Sequence, residues 1–529
     1  MTIQTELALD AAPTAPKRKR GAKAETPVTT AQHLGSIIKS ARDIMRKDRG
    51  LSGDLDRLPC LTWIMFLKFL DDLERIREDE AMLGNLPYRP AIAPPYRWRD
   101  WGANPAGITG EELIAFLNND EAARPDDTRG PGLFTYLRGV QGDGPGDRRG
   151  VIASVFENLN NRMLSGYLLR DVIAKVNEIR FTSHDEMHTL SRLYETMLKE
   201  MRDAAGDSGE FYTPRAVVRF MVAVTDPRLG ETVLDPACGT GGFLVEAFTH
   251  LDAQVRTTQE RETLQERSLR GGEPKPLPYL LAQMNLLLHG LDAPRIDHGN
   301  SLRFPLREIG EAQRVDVILT NPPFGGEEER AILTNFPADK QAAETALLFL
   351  QLIMRKLRVH PPGRAAVVVP NGILFGDGVC ARIKRDLLTH FNLHTIVRLP
   401  NGVFAPYTSI PTNLLFFDRS GPTEHVWYYE QPLPDGKKNY TKTAPIAYEE
   451  FADCLAWWPD RAENERAWKV PAADILANGC NLDSKNPRAR QDFAHLPPAQ
   501  LADDILAKEQ RIAALMAEIK QALIGVNHA

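Results

Sequence analysis

Beyond about residue 206 the chain takes on a texture that leaves few folds open to it. Short apolar runs, each stopped by Gly or Pro, alternate with longer segments of helical spacing. The runs are ETVLDPACGTGG (231–242), RVDVILTNPPF (314–324), GRAAVVVPNG (363–372) and LHTIVRLP (393–400). Between them lie YLLAQMNLLLHG (279–290) and TALLFLQLIMRKL (345–357). Alternation of this kind builds βαβ units around a mostly parallel sheet. HTIVRLP and TNLLFFDR (412–419) are joined without a helix, which predicts an antiparallel hairpin at the end of the sheet. Ligands of an open α/β sheet bind outside the carboxyl ends of its strands. Asp235 and Asn321 both stand at such ends.

The preceding part reads differently. LGSIIKSARDIMRK (34–47), LTWIMFLKFLDDLERI (61–76), GVIASVFENLNNRM (150–163) and EMHTLSRLYETMLKEMRDAA (186–205) carry apolar residues at three- and four-residue spacing, the mark of amphipathic helices. The Pro/Gly/Asp-rich stretch before residue 150, with GDGPGDRRG at 142–150, reads as loop. These features predict a disordered arm over 1–30, an all-α domain over 31–205, a Rossmann-like α/β domain over 206–425, an extension over 426–490 and a helical tail over 491–529. In the tail, ADDILAKEQRIAALMAEIKQALI places Ile505, Ile512, Leu515, Ile519 and Leu523 on one stripe. Packing on its own protein and heptad packing on a partner are both open for it.

Composition narrows the function. A chain of 529 residues holds roughly two to four domains. A net charge of −6 and a pI near 6.1 argue against a basic sleeve for DNA, and PKRKR at 16–20 reads as a solvated tail. The apolar runs are too short to span a bilayer, and no apolar segment follows the basic start as in a secretory signal. Five cysteines (60, 238, 380, 454, 480) without C-x-x-C spacing argue against a zinc site or a disulfide framework. They fit a cytoplasmic location, with no metal expected.

Two motifs carry chemistry. In VLDPACGTGGFLVEAF (233–248), Asp235 ends a strand, and Gly239, Gly241 and Gly242 let the backbone pass close to a ligand before a helix opens. Leu244 stands where the dinucleotide fingerprint needs a third Gly, and Gly-Lys-Ser/Thr is absent, so neither a dinucleotide nor an ATP phosphate cradle is present. An acid leading such a turn suits a positive or hydroxyl-bearing ligand. In DVILTNPPFGG (316–326), Pro322 and Pro323 stiffen the backbone and leave acceptors, and Phe324 offers an aromatic plane. A rigid acceptor cluster beside an aromatic suits a planar ring bearing an amino group. Upstream, GEFYTPRAVVRFMV (209–222) has Thr213 as a natural N-cap and Pro214 as a natural first helical residue.

The Asp-Pro-x-x-Gly-x-Gly turn resembles motif I of S-adenosylmethionine-dependent methyltransferases. Asn-Pro-Pro-Phe, which begins 86 positions after Asp235, resembles motif IV of the amino-methylating DNA methyltransferases. GEFYTP looks like motif X of the adenine-specific group in the gamma order. Together with MNLLLHG (284–290), GNSL (299–302), PTNLLFF (411–417) and LPDGKKNYTKTAPI (433–446), the chain beyond residue 30 is similar to the modification subunit of type I restriction-modification systems. The resemblance implies an S-adenosylmethionine site lined by Gly209, Glu210, Phe211, Tyr212, Thr213 and Pro214, and by Asp235, Pro236, Cys238, Gly239, Thr240 and Gly241. It further implies that Glu273 binds ribose hydroxyls and that Asn300 lies near the cofactor's adenine. Two departures stand out. ERSLRGGEPKP (266–276) shows no apolar strand before Glu273, which leaves a surface glutamate as the alternative, and Asn300 stands where methyltransferases often carry Asp.

The same resemblance implies N6-adenine methylation of double-stranded DNA at Asn321, Pro322, Pro323 and Phe324, with the target adenine flipped out. The side-chain oxygen of Asn321 and the carbonyl of Pro322 accept the amine N–H groups, and Phe324 stacks on the base. About 100 residues past 425 are too few for a recognition domain. A separate specificity subunit flanked by two copies of this chain is therefore expected, with a restriction or translocase subunit as a further possible partner. Competing readings are methylation of a protein glutamine or of guanine N2 in RNA, a non-catalytic assembly subunit, and the catalytic half of a fused restriction–modification chain.

Overall fold

The computed structural model describes residues 31–143, 147–179, 213–405, 408, 410–434, 436–441, 443–488 and 498–526. The basic arm, the predicted helix over 186–205 and residues 209–212 fall outside them.

The N-terminal region is built around the helix Asp54–Leu83. Its middle, from Leu61 to Glu74, is buried on every side, so it is a central strut rather than a surface helix. Burying its polar residues requires partners: Lys68 pairs with Asp72 and Arg99 with Asp71. The stretch before residue 147, read above as loop, holds the helices Trp98–Trp101, Gly110–Asn118 and Leu133–Arg138. It also holds a short hairpin of β1 (Glu121–Ala123) and β2 (Arg129–Pro131). Trp98, Trp101, Phe116 and Phe134 explain the difference. These aromatics are buried in one cluster with Trp63, and that burial orders a segment whose Gly and Pro content argues for a loop.

A nine-stranded sheet follows, formed by β3 (Val233–Asp235), β4 (Leu269–Gly272), β5 (Ile296–Asp297), β6 (Val317–Thr320), β7 (Arg364–Pro370), β8 (Asn392–Arg398), β9 (Thr412–Asp418), β10 (His425–Glu430) and β11 (Ala467–Pro471). The order is β11-β10-β8-β9-β7-β6-β3-β4-β5. Every pairing is parallel except those of β9 with β7 and β8, and of β11 with β10. The predicted β8–β9 antiparallel pair is present, with β9 inserted between β7 and β8. It does not end the sheet: β10 and β11, from the predicted extension, continue it. Alternation along β6 sends Val317 and Leu319 to one face and Ile318 to the other, as expected for a strand covered on both sides.

The helix Pro276–Leu288 belongs to two cores at once. All residues from Pro278 to Leu288 are buried. Leu280, Leu281, Met284, Leu287 and Leu288 pack into the N-terminal cluster, and Tyr279, Ala282 and Leu286 into the sheet. The helical region is thereby held against the edge of the sheet that carries the glycine turn. Among the described residues no helix is long and apolar enough to cross a membrane.

Candidate active site

Strand order reverses between β3 and β6, which are neighbours in parallel register, with Val233 opposite Val317 and Leu234 opposite Ile318. The two motifs, far apart in sequence, thus leave the sheet side by side at its switch point. A hydrogen bond ties them: Thr320 Oγ1 donates to Asp235 Oδ1 at 2.7 Å, and the backbone N–H of Ala237 donates to the same oxygen at 3.1 Å. Asp235 is almost wholly buried. Burial, helped by the nearby charge of Glu273, pushes its carboxyl up to about 7 against the opposing effect of those two donors.

The glycine turn is held from three directions. Gly239 and Gly241 adopt φ of +53° and +80°, a left-handed backbone that favours glycine. The N–H of Gly239 donates to Glu273 Oε2 at 3.0 Å, while Glu273 Oε1 accepts from the N–H of Lys275 at 2.9 Å. Asn285 Nδ2 donates to the carbonyl of Thr240 at 2.9 Å, and the hydroxyl of Ser301 donates to the carbonyl of Pro236 at 2.6 Å. Cys238 turns the other way. Its thiol packs into the sheet core, and burial, aided by the charges of Asp235 and Glu273, raises it well above the usual thiol range.

Glu273 is 5% exposed and follows directly on strand β4, which corrects the expectation of no strand and overturns the surface-glutamate alternative. The strand is hidden in the sequence because glycines occupy its crowded positions. A Cβ at Gly271 would lie 2.9 Å from Leu244 Cδ1, and one at Gly272 would lie 2.4 Å from Ser301 Oγ.

Thr213 also differs from its predicted role. The helix runs Arg215–Thr225, with Pro214 extended at the N-cap position and no capping side chain. Thr213 is one residue too early to reach the free N–H groups of the first turn. Its hydroxyl instead accepts a hydrogen bond from Asn321 Nδ2 at 3.0 Å. The other end of that amide, Asn321 Oδ1, is buried without a hydrogen-bond partner among the described residues. Pro322 is buried and Pro323 half-buried beside it. Phe324 is half-buried, with its ring edge-on to Phe404 at 5.9 Å. Asn300 lies beyond β5; its Oδ1 accepts from the N–H of Leu302 and its Nδ2 donates to Glu328 Oε2, both at 2.9 Å, tying it to the loop after Phe324. Gly209, Glu210, Phe211 and Tyr212 lie outside the described residues.

Thr320, Asn285 and Phe404 of this arrangement, like Ser301 inside the quoted GNSL, escaped the sequence reading. Thr320 adjoins a flagged residue, Asn285 lies inside the quoted MNLLLHG, and Phe404 sits in a Gly-punctuated segment. Adjacency to a motif was the one signal for the first two; the third shows only in three dimensions.

A glycine turn and an Asn-Pro-Pro-Phe turn joined across the switch point of a Rossmann-like sheet define a methyltransferase of the amino-methylating type. Comparison with known proteins takes this further. Residues 185–495 match the family described as N-6 DNA Methylase, and residues 34–176 match the HsdM N-terminal domain. The chain is 48% identical over 500 residues to the type I restriction enzyme EcoEI methylase subunit of Escherichia coli, covering 93% of this chain and 96% of that one. A solved chain from Vibrio vulnificus YJ016, assigned as the modification subunit of a type I restriction enzyme, is 67% identical. It superposes with a TM-score of 0.84 over 89% of this chain and 100% of its own. A second, from work on assembly and conformational transition of the type I restriction-modification system, is 41% identical, with a TM-score of 0.72 over 93% and 99%. The chain belongs to the N-6 DNA methylase family and, within it, to the methylase subunits of type I restriction enzymes.

Proposed function

We propose that this chain transfers a methyl group from S-adenosylmethionine to N6 of an adenine extruded from double-stranded DNA, at a site read by a separate specificity subunit. The observation that carries the reading is the amide of Asn321. Its nitrogen is committed to Thr213 and its oxygen is buried and unpartnered among the described residues. A buried acceptor left unmade costs about 1–3 kcal/mol, and a ligand N–H recovers that. An exocyclic amine offers two N–H groups, for Asn321 Oδ1 and for the carbonyl of Pro322. Accepting both draws the nitrogen lone pair out of conjugation and aims it, so the residues act by position and electrostatics. Phe324 supplies the plane on which an extruded base stacks.

The residues present also fit the cofactor. Glu273 is buried and acceptor-only when ionised, the chemistry that suits ribose hydroxyls. The left-handed glycines give close backbone approach, and Asn300 would lie towards the cofactor's adenine. S-adenosylmethionine, when bound, supplies the electrophilic methyl group. No strong base is required of the protein, because the amine loses its proton only after acquiring positive charge.

The terminal helix, with its exposed stripe, and the N-terminal helical domain are our candidate contacts with the specificity subunit, and two copies of this chain would flank that subunit. A restriction or translocase subunit would join such an assembly. The test is labelled methyl transfer to duplex DNA by the chain co-purified with its specificity subunit, with sequencing of the modified bases. Asn321→Ala should abolish transfer while calorimetry still records cofactor binding; near-normal turnover in that variant would remove Asn321 from the mechanism. Label in protein or RNA instead of DNA would overturn the substrate.

A further inference from the structure

The carboxyl edge of the sheet carries a second cavity beyond the Asn-Pro-Pro-Phe turn. It has a volume of about 450 Å³ and is lined by the ends of β7, β8 and β10 and the start of β9, including Asn371, Arg398, Asn401, Asn413 and Gln431. Because β7, β8 and β10 run parallel to β6, and β9 runs opposite to them, these ends all share the edge at which Asn321 stands.

The cations at this cavity are already engaged. Arg398 donates to Asp483 Oδ1 at 2.6 Å and to the carbonyl of Ser484 at 2.7 Å, and Arg466 donates to Asp453 Oδ2 at 2.8 Å. The carboxylate of Glu430, also in the lining, accepts from Asn486 Nδ2 at 3.1 Å, and the other polar side chains are amides. Asn413 Nδ2 donates to Asn371 Oδ1 at 3.1 Å, and Asn413 is buried. Gln431 is 5% exposed; its Nε2 donates to the carbonyl of Glu450 at 2.7 Å, and its Oε1 is buried without a partner among the described residues. A backbone phosphodiester cannot satisfy an orphaned acceptor, since it carries no hydrogen-bond donor. A nucleobase brings N–H donors and ring acceptors on one edge, the pattern that Asn and Gln amides complement, and a volume of a few hundred Å³ suits a ligand of that size.

We propose that this amide-lined cavity is a second nucleobase site, which takes a base of the target strand next to the extruded adenine. This rests on the proposed DNA methylation. The occupant is not the target base itself. Strands lie about 4.8 Å apart, so the cavity between β7 and β10 is centred roughly 10–15 Å from the end of β6, beyond the reach of an adenine whose amine is held at Asn321. A neighbouring nucleotide, unstacked when the adenine leaves the helix, is displaced along the same edge.

The experiment uses the chain assembled with its specificity subunit and duplexes that carry the mapped methylation site. Abasic nucleotides are placed one at a time on either side of the target adenine, and kcat/KM is measured for wild type, Gln431→Leu and Asn371→Ala, each checked by thermal melting. One abasic position should lower wild-type kcat/KM about tenfold, and Gln431→Leu on intact DNA should show a similar loss. Combined, the two should cost no more than either alone. A variant that merely perturbs the fold would lose the same factor on every duplex. Losses that multiply at every position, in both variants, would overturn the second site while leaving the methyltransferase intact. Absence of any methylation by wild type would instead sink the proposed function on which it rests.

Discussion

At the residue scale the amide of Asn321, to which we assign the catalytic contact, depends on a neighbour that is far from the Asn-Pro-Pro-Phe turn in sequence. Thr213 Oγ1 holds Asn321 Nδ2, and only with the nitrogen so held does the carbonyl oxygen keep its orientation. Thr213→Val keeps the shape but removes the acceptor. It should lower kcat about tenfold, a modest misalignment loss, and Thr213→Ser should restore the rate in single-turnover assays. Asp235 gives a second prediction, for the chain without cofactor. Its carboxyl titrates near 7 in the fold because of burial but near 3.9 in the unfolded chain. Between those values the folded state holds a proton that the unfolded state has released, so this contribution is full below about pH 4 and is lost as pH rises through 7. Asp235→Asn imitates the neutral form and lacks that dependence. Measured by denaturant unfolding, the variant should gain on wild type between pH 5 and pH 8, by on the order of 3 kcal/mol. A constant gap would show that Asp235 is charged throughout.

At the element scale, strands whose apolar residues alternate or run together were legible, and the one strand built from glycine was not. Val317–Leu319 and Val367–Val369 announce β6 and β7 by composition. β4 has only Leu269, because Gly271 and Gly272 stand where side chains would collide, and that crowding has no signature in a single sequence. The same blindness hid the helices carrying Trp101, Phe116 and Phe134, where burial of aromatics overrides local Gly and Pro content. β10 escaped as well, although Val426–Tyr429 form an apolar run, and so did β11. The glycine turn and the Asn-Pro-Pro-Phe turn were legible because their residue types are chemically specific, whereas the link through Thr320 needed the strand order. Gly272→Ala tests the crowding directly. Its Cβ would press on Ser301 Oγ and lie 3.2 Å from the carbonyl of Pro236, so overpacking should cost about 1–3 kcal/mol. Cofactor affinity should fall with it, through displacement of the turn. Adding Ser301→Ala frees the space and should recover part of both, read by melting and calorimetry.

At the scale of the whole molecule, two helices stand at opposite extremes of burial. The helix Pro276–Leu288 is buried from Pro278 onward and joins the helical region to the glycine turn through Asn285. Pro498–Val526 does the reverse. Its Ile505, Leu506, Ile512, Leu515, Met516 and Ile519 are 50–61% exposed, and Ile505, Ile512 and Ile519 recur at sevens, the spacing of a coiled-coil seam. Helical stability in proteins comes mostly from packing an apolar face, and this face has no cover among the described residues. Covering it would contribute about 1 kcal/mol for each half-exposed side chain, enough in sum to hold a subunit. The body of the fold closes before this helix begins: Leu482 is buried, and Arg488 is bonded to the carbonyl of Asn464 and to Glu463. A chain ending after Arg488 should therefore melt within a few degrees of the full chain and bind cofactor equally well. It should fail to co-purify with the specificity subunit and so fail to methylate DNA. Ile512→Asp with Ile519→Asp should reproduce the assembly defect at full length, because two charges on the seam must be desolvated for packing to occur. Intact assembly in both proteins would move the subunit contact from this helix to another surface.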